Sequence, residues 1–160
     1  SEVYQVRMYS VFLFGYLSED KNILMFLRDE VSKDSNWRVQ EVLAKSFDEF
    51  CKIIGYEKAL PVIDDWLKNS NHNTRRAVTE GLRIWTGRPY FKANPNEAIR
   101  RLAALRDDPS EYVRKSVGNA LRDISKKYPE LIRVELSTWS LETKGIKQVY
   151  QLANKLLIKS

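Results

Sequence analysis

The sequence has almost none of the residues that build disulfides and metal sites. Its 160 residues include one cysteine, Cys51, and one histidine. A single cysteine forms no internal disulfide, and the pair falls short of a conventional zinc ligand set, so we predict no metal and no cofactor. Cys51 lies among apolar helical positions, which indicates a buried thiol rather than a nucleophile.

A long hydrophobic run is missing as well. The apolar stretch MYSVFLFGYL at residues 8–17 is too short to span a membrane and has no cationic leader before it. We therefore expect no membrane partner and a cytoplasmic location. With 43% hydrophobic and 30% charged residues, a chain of this length is most simply one domain, residues 1–160, unless repeats divide its core.

The positive charge is unevenly distributed. The formal net charge is +6, and residues 69–127 hold 13 Lys and Arg against 6 Asp and Glu. Clustered cations add up to a field that attracts a polyanion and releases its counterions. The middle of the chain therefore favours a polyanionic partner more than an even distribution would.

Apolar residues recur at intervals of three and four along the whole chain, which predicts successive helices and no strand. The longest stretch without this period is TGRPYFKANPN, residues 86–96. Four helices share a register that begins at Val6, Val39, Thr74 and Val113, with spacings of 33, 35 and 39 residues. Such intervals are typical of stacked HEAT or armadillo helix pairs, so we predict an all-α superhelix (solenoid) of about four pairs. The alternative is an irregular helix bundle.

The register also predicts a polar stripe on one face of three helices, because residues at i, i+4 and i+7 stack. The members of the polar stripe are Glu41, Lys45 and Asp48, then Arg76, Glu80 and Arg83, then Lys115, Asn119 and Arg122. Lys126 extends the last group by one turn. If these helices line the concave side of the superhelix, their stripes form one basic groove.

The segments NWRVQEVLA, TRRAV and YVRKSVGNALRDISKKYPELI resemble repeats of the AlkD-type DNA alkylation repair family, which are HEAT-like bacterial DNA glycosylases. The last segment is the most specific, with its mid-helix glycine and its Arg-acid pair. The resemblance covers most of the chain, and the family's first helices are missing or shortened at the N-terminus. It implies a HEAT-like repeat domain that binds damaged or distorted double-stranded DNA and hydrolyses the N-glycosidic bond of cationic N3- and N7-alkylpurines.

Site residues are implied position by position. The family's first tryptophan and its carboxylate match Trp37 and Glu41, the implied catalytic pair. Its backbone-binding arginine matches Arg75 or Arg76. The second tryptophan is replaced by Asn119, while the arginine three positions later is kept as Arg122. We therefore predict DNA contacts by the residues Arg75, Arg76, Arg83, Lys115, Asn119, Arg122 and Lys126.

Each singled-out residue also has a structural interpretation. Trp37 is a candidate packing residue between repeats, and Glu41 a candidate partner of Lys45 at i+4. Arg114 is expected to bond within the repeats rather than to DNA. The other three tryptophans, Trp66, Trp85 and Trp139, are expected in the core.

The departures from the family pattern affect catalysis more than binding. Glycosidic cleavage builds positive charge on the sugar, which a carboxylate and an aromatic face stabilise. Glu41 has one methylene more than the family's aspartate, and Asn119 has no aromatic face. Three hypotheses follow: a DNA-binding protein with glycosylase activity, the same fold without it, or a HEAT-repeat scaffold that binds an acidic protein.

Overall fold

The computed structural model describes residues 1–158, and these residues form helices and turns without a strand. The first six α-helices are α1 (Tyr4–Tyr16), α2 (Lys21–Asp29), α3 (Trp37–Ile54), α4 (Tyr56–Leu67), α5 (His72–Trp85) and α6 (Pro89–Ala93). They are followed by α7 (Pro95–Ala103), α8 (Glu111–Ser125), α9 (Pro129–Ser137) and α10 (Lys144–Asn154). A short 3-10 helix (Val31–Lys33) precedes α3. The predicted all-α class is confirmed.

The chain forms two compact units, Ser1–Gly81 and Leu82 onward, with the boundary inside α5. The first unit contains α1 to α4 and most of α5, and the second contains the last turn of α5 and the remaining helices. Each unit is described by itself below. The single domain expected from the length stays a prediction.

One hydrogen bond recurs at the start of four helices. In each, the fourth residue of the helix donates from its side chain to the main-chain carbonyl six residues earlier. The four bonds are Arg7 to Ser1 (2.7 Å), Gln40 to Asp34 (2.8 Å), Arg75 to Asn69 (2.9 Å) and Arg114 to Asp108 (2.7 Å). Each donor directly follows a residue of the predicted register, so the repeat spacing is confirmed by local geometry.

The loops before α3, α5 and α8 share a second bond. The side chains of Asp34, Asn69 and Asp108 each accept from the amide two residues later, at 2.8, 2.8 and 2.9 Å. Asp and Asn favour these turns because their side chains replace a backbone carbonyl. The turn directs the main-chain carbonyl of the same Asp or Asn towards the fourth helical residue, which explains why the two bonds occur together.

In the first unit, α1 packs against α3 at short range. A Cβ atom on Gly15 would lie 2.9 Å from Ser46 Cα, so only glycine fits there. The core continues with Phe47, whose ring stacks on Trp66 at 4.1 Å between centroids. Cys51 is fully buried there, and burial raises the pKa of its thiol, which keeps it protonated.

In the second unit, α8 packs against α10 in the same manner. A Cβ atom on Gly118 would lie 2.7 Å from Leu152 Cβ, so the mid-helix glycine allows this approach. The apolar edge of α8 is buried as predicted; its members are Val113, Val117, Leu121 and Ile124. The predicted core positions of Trp66, Trp85 and Trp139 are also confirmed.

The irregular stretch predicted at residues 86–96 is wrong, because this stretch contains α6 and the start of α7. Pro89 and Pro95 begin these two helices, where proline's fixed φ and missing N–H are no disadvantage. The aromatic side chains of the segment serve the core: Phe91 is fully buried and stacks on Trp85. Within residues 1–158, no helix is both long and apolar enough to cross a membrane.

Candidate nucleic-acid interface

Trp37 and Glu41 begin α3 and lie one turn apart on the same face. Asn36 caps this helix by accepting a hydrogen bond from the Arg38 amide at 2.9 Å. The capped start places Trp37 on the surface, where 58% of the residue is exposed. Trp37 therefore presents a ring to solvent and is not a packing residue between repeats.

Arg38 holds the exposed ring of Trp37. Its guanidinium lies 4.5 Å from the Trp37 ring centroid and 5.5 Å from that of Tyr4. Cation–π contacts of this length favour a fixed arrangement of the two partners. The exposed Trp37 ring beside Glu41 is therefore already in contact with one cation, the Arg38 guanidinium.

Glu41 is paired with Arg76, one of the two candidate backbone arginines. Arg76 Nη2 donates to Glu41 Oε1 at 2.6 Å, and Glu80 Oε1 lies 3.5 Å from the same nitrogen. Arg76 has a side-chain exposure of 12%, against 43% for Glu41. Among the described residues Glu41 pairs with this arginine and not with Lys45, because the repeat spacing brings α5 alongside α3.

Arg75 has a structural position. It is buried, and its Nη1 donates to the main-chain carbonyls of Asn69 and Ser70 at 2.9 and 3.0 Å. Arg114 occupies the equivalent position in the next repeat, as expected of a residue that bonds within the repeats. These contacts argue against a phosphate contact by Arg75, and Arg76 is the better match to the family's arginine.

In the second unit, the cations of the polar stripe gather around one carboxylate. Asp123 Oδ2 accepts from Arg83 Nε at 2.5 Å, and Asp123 Oδ1 lies 3.2 Å from Arg122 Nη2 and 3.3 Å from Lys126 Nζ. We call these four residues the Asp123 cluster. Burial alone would raise the pKa of Asp123, but the Arg83 hydrogen bond and the neighbouring cations outweigh it, so its pKa is lowered.

The other predicted contacts on α8 lie towards its start. Lys115 is exposed and pairs with Glu111 at 3.1 Å. Asn119 is half-buried, one turn further along. The mid-helix glycine before it is fixed by packing against α10, so Asn119 is held on a rigid element.

Sequence reasoning missed two residues that shape these surfaces, namely Arg38 and Asp123. The sequence did contain a signal for Asp123. Arg83 and Arg122 are 39 residues apart, which is the length of one repeat, so they occupy equivalent positions in successive repeats. A carboxylate next to Arg122 is therefore expected to face the preceding repeat, where Arg83 lies. Arg38 carried no comparable signal, because its two aromatic partners are recognisable only after folding. The predicted stripe on α8 named Lys115, Asn119 and Arg122 and left out the carboxylate beside Arg122.

Within residues 1–158, no group of three or more His, Cys, Asp and Glu side chains is arranged to hold a metal ion. The surfaces consist instead of ion-paired arginines, lysines and one exposed indole. They belong to an all-α helical-repeat protein whose repeats present alternating cations and carboxylates.

Comparison with known proteins assigns this class to a family. The model of the DNA alkylation repair enzyme family matches residues 1–138, and the chain belongs to this family. An uncharacterised Bacillus subtilis (strain 168) protein, YhaZ, is 36% identical over 91 residues. That match covers 54% of this chain and 26% of YhaZ, so the chain spans about a quarter of the length of that relative.

Solved structures give closer likenesses. The crystal structure of AlkD2 from Streptococcus mutans is 77% identical, with a TM-score of 0.95 over 97% of this chain and 75% of that chain. The Pseudomonas fluorescens alkylpurine DNA glycosylase AlkC, bound to DNA containing an abasic site analog, is 27% identical. Its TM-score is 0.64 over 86% of this chain and 43% of that chain. The predicted HEAT-like repeat fold and family are thereby confirmed.

Proposed function

We propose that the chain binds damaged or distorted duplex DNA through the polar stripe of its helices. The first unit supplies Trp37, Glu41 and Arg76, and the second supplies Lys115, Asn119 and the cations of the Asp123 cluster. The observation that carries the proposal is the exposed Trp37 ring next to the ordered Glu41–Arg76 pair. The AlkC glycosylase, a relative by structure, supports it because that protein was crystallised on DNA.

The same proposal gives Trp37 and Glu41 the catalytic roles that the family resemblance implies. The bond between C1′ and the alkylated purine breaks, the cationic base leaves neutral with the electron pair, and water supplies hydroxide to C1′ and releases a proton. Glu41 stabilises the positive sugar and orients the water, while the Trp37 ring faces the developing cation. Arg76 holds the Glu41 carboxylate, and the missing aromatic at Asn119 keeps the rate low.

Binding is tested by fluorescence anisotropy with intact duplex and with duplex containing an abasic-site analogue. We expect tighter binding to the second duplex and a loss of affinity with added salt, at about 0.9 log units per tenfold salt for each phosphate contacted. Absence of binding to either duplex at low salt contradicts the proposal. Binding to an acidic protein in its place favours the scaffold hypothesis.

Hydrolysis is tested by release of 7-methylguanine from methylated DNA. We expect slow release by the wild type and a decrease of roughly 100-fold or more in Glu41→Gln, which keeps the shape but loses the charge. Glu57→Gln, an exposed carboxylate on α4, is the matched control and keeps the wild-type rate. Asn119→Trp is expected to speed release. No release by the wild type or by Asn119→Trp contradicts the catalytic roles and leaves DNA binding as the function.

A further inference from the structure

The Asp123 cluster joins one carboxylate to three cations. Arg83 comes from the last turn of α5 and Arg122 from α8, and Lys126 is the residue that directly follows α8. Their distances to the carboxylate oxygens lie between 2.5 and 3.3 Å. One carboxylate neutralises only one of the three positive charges, so the cluster keeps a net charge of +2.

Exposure within the cluster increases from the carboxylate outward. Asp123 has the lowest side-chain exposure at 20%, followed by Arg122 at 24% and Arg83 at 31%. Lys126 is the most exposed, at 63%. The group of the cluster that is most accessible to an anion from solvent is therefore the Lys126 ammonium.

Free arginine and lysine side chains have many rotamers, and binding a phosphate restricts them. Immobilising such a side chain costs a substantial part of the binding free energy, whereas a side chain that is already ordered avoids that cost. The Asp123 carboxylate orders two guanidinium groups at once, since each donates to it through Nε. These bonds are formed without DNA.

We infer that Asp123 is a positioning residue, which orders the three cations of its cluster to receive one DNA backbone phosphate. The inference rests on the proposed DNA-binding function and deepens it by assigning a role to a negative charge in a basic surface. The competing effect is repulsion between the carboxylate and the phosphate. Asp123 has the lowest exposure of the four side chains and accepts hydrogen bonds from two guanidinium groups, which favours ordering as the larger effect.

The test is Asp123→Asn, measured by duplex anisotropy over a series of salt concentrations. We expect the affinity to fall about fivefold, because two guanidinium groups lose their ordered positions. Glu130→Gln is the matched control, since it removes the same charge from a carboxylate that is 77% exposed and pairs with Arg133 on α9. That control is expected to bind as the wild type does, or slightly more tightly.

A positioning role also predicts coupling. Arg83→Gln alone should weaken binding, and in the Asp123→Asn background it should have a much smaller effect. If the two substitutions lower the DNA affinity by independent, additive amounts, then Asp123 does not act through Arg83. A second readout needs no DNA: the Arg83 and Arg122 Nε–H signals in a 15N NMR spectrum should be resolved in the wild type and averaged in Asp123→Asn.

The outcomes separate this inference from the function on which it rests. If the wild type binds duplex DNA and Asp123→Asn binds as tightly as Glu130→Gln, the inference is wrong and the DNA-binding function stands. If the wild type binds no duplex at low salt, both are wrong. Unchanged Nε–H signals in a folded Asp123→Asn also overturn the inference, whatever the affinity.

Discussion

At the scale of single residues, Gln40 shows how one position of the repeat is adapted. Its equivalents in the other repeats are arginines, and each donates to the carbonyl six residues earlier. Gln40 makes that bond with an amide and additionally donates to Val31 O at 3.1 Å. It is 4% exposed, and its Oε1 is buried without a hydrogen-bond partner in the structure.

Replacing Gln40 by methionine tests the importance of these bonds. The substitution keeps the volume but removes the side-chain donor of the Asp34 carbonyl, so we expect a loss of about 1–3 kcal/mol in the free energy of unfolding. Urea unfolding followed by circular dichroism measures it. Gln151→Met, on the exposed side of α10, is the control and should lie within about 0.5 kcal/mol of the wild type. Equal stabilities of the two variants contradict the structural role.

At the scale of helices, the close contact between α8 and α10 depends on Gly118. An added methyl group meets Leu152 Cβ at 2.7 Å, which is near the main chain and not at a flexible side-chain end. We expect Gly118→Ala to destabilise the protein by about 1–3 kcal/mol, even though alanine favours helices. Thermal and urea unfolding measure the change.

Leu152→Gly provides the matching background for the same helix pair, because it removes the Cβ atom that the added methyl group meets. In that background, Gly118→Ala should lose much of its cost and approach the roughly 1 kcal/mol gain that alanine brings to a helix. A cost of the same size in both backgrounds would show that the contact with Leu152 is not the cause.

The link between α1 and the loop before α3 depends on ionised Asp34. Arg7 Nε donates to Asp34 Oδ2 at 2.5 Å, and the Asn36 amide donates to Oδ1 at 2.8 Å. Burial raises the pKa of Asp34. The hydrogen bonds from Arg7 and Asn36 lower this pKa by more than burial raises it, so the pKa lies below its ordinary value. A carboxyl with a lowered pKa stabilises the fold above its unfolded pKa of about 3.9 and loses this contribution as the pH falls through its folded pKa.

Asp34→Asn isolates the charge in this link. Asparagine keeps the turn acceptor, as Asn69 does in the next repeat, but no longer pairs with Arg7. We expect a loss of about 0.5–1 kcal/mol at pH 7 that disappears near pH 2, measured as the difference in urea midpoints. Asp65→Asn, a carboxylate with 61% exposure that pairs with Arg28, should change little at either pH. A loss that is independent of pH would exclude the charge as the cause.

The helices and their register could be predicted from sequence because apolar period and repeat spacing are local and repeated properties. Residues 86–96 could not, since this stretch lacks the apolar period, although Pro89 and Pro95 begin helices in it. Arg75 and Arg76 are adjacent cations in the sequence, and only packing distinguishes the buried structural one from the one on the polar stripe. The Arg83–Asp123 ion pair joins residues 40 positions apart, and only the repeat spacing, not the polar stripe of a single helix, indicates it.

At the scale of the whole molecule, positive charge is present in excess, but four of the predicted DNA-binding cations are ion-paired. The net charge is +6, yet Arg76, Arg83, Arg122 and Lys126 all lie within 4 Å of carboxylate oxygens. A phosphate that binds these groups gains less than it would from bare cations. The attraction for DNA therefore comes from the summed field of the excess charge, while the paired groups supply fixed positions.

If the excess charge supplies the field and the paired groups supply fixed contacts, removing a cation has different effects on the salt dependence of DNA binding at different positions. Lys126→Gln removes an exposed cation from the Asp123 cluster, and Arg100→Gln removes one from α7, where the side chain is 68% exposed. Both lower the net charge by one, so a pure field effect weakens binding equally. A phosphate contact at Lys126 additionally lowers the slope of log affinity against log salt by about 0.9 for that variant alone. Equal slopes for the two variants would place the DNA contact away from the Asp123 cluster, since only a cation that touches a phosphate releases a counterion.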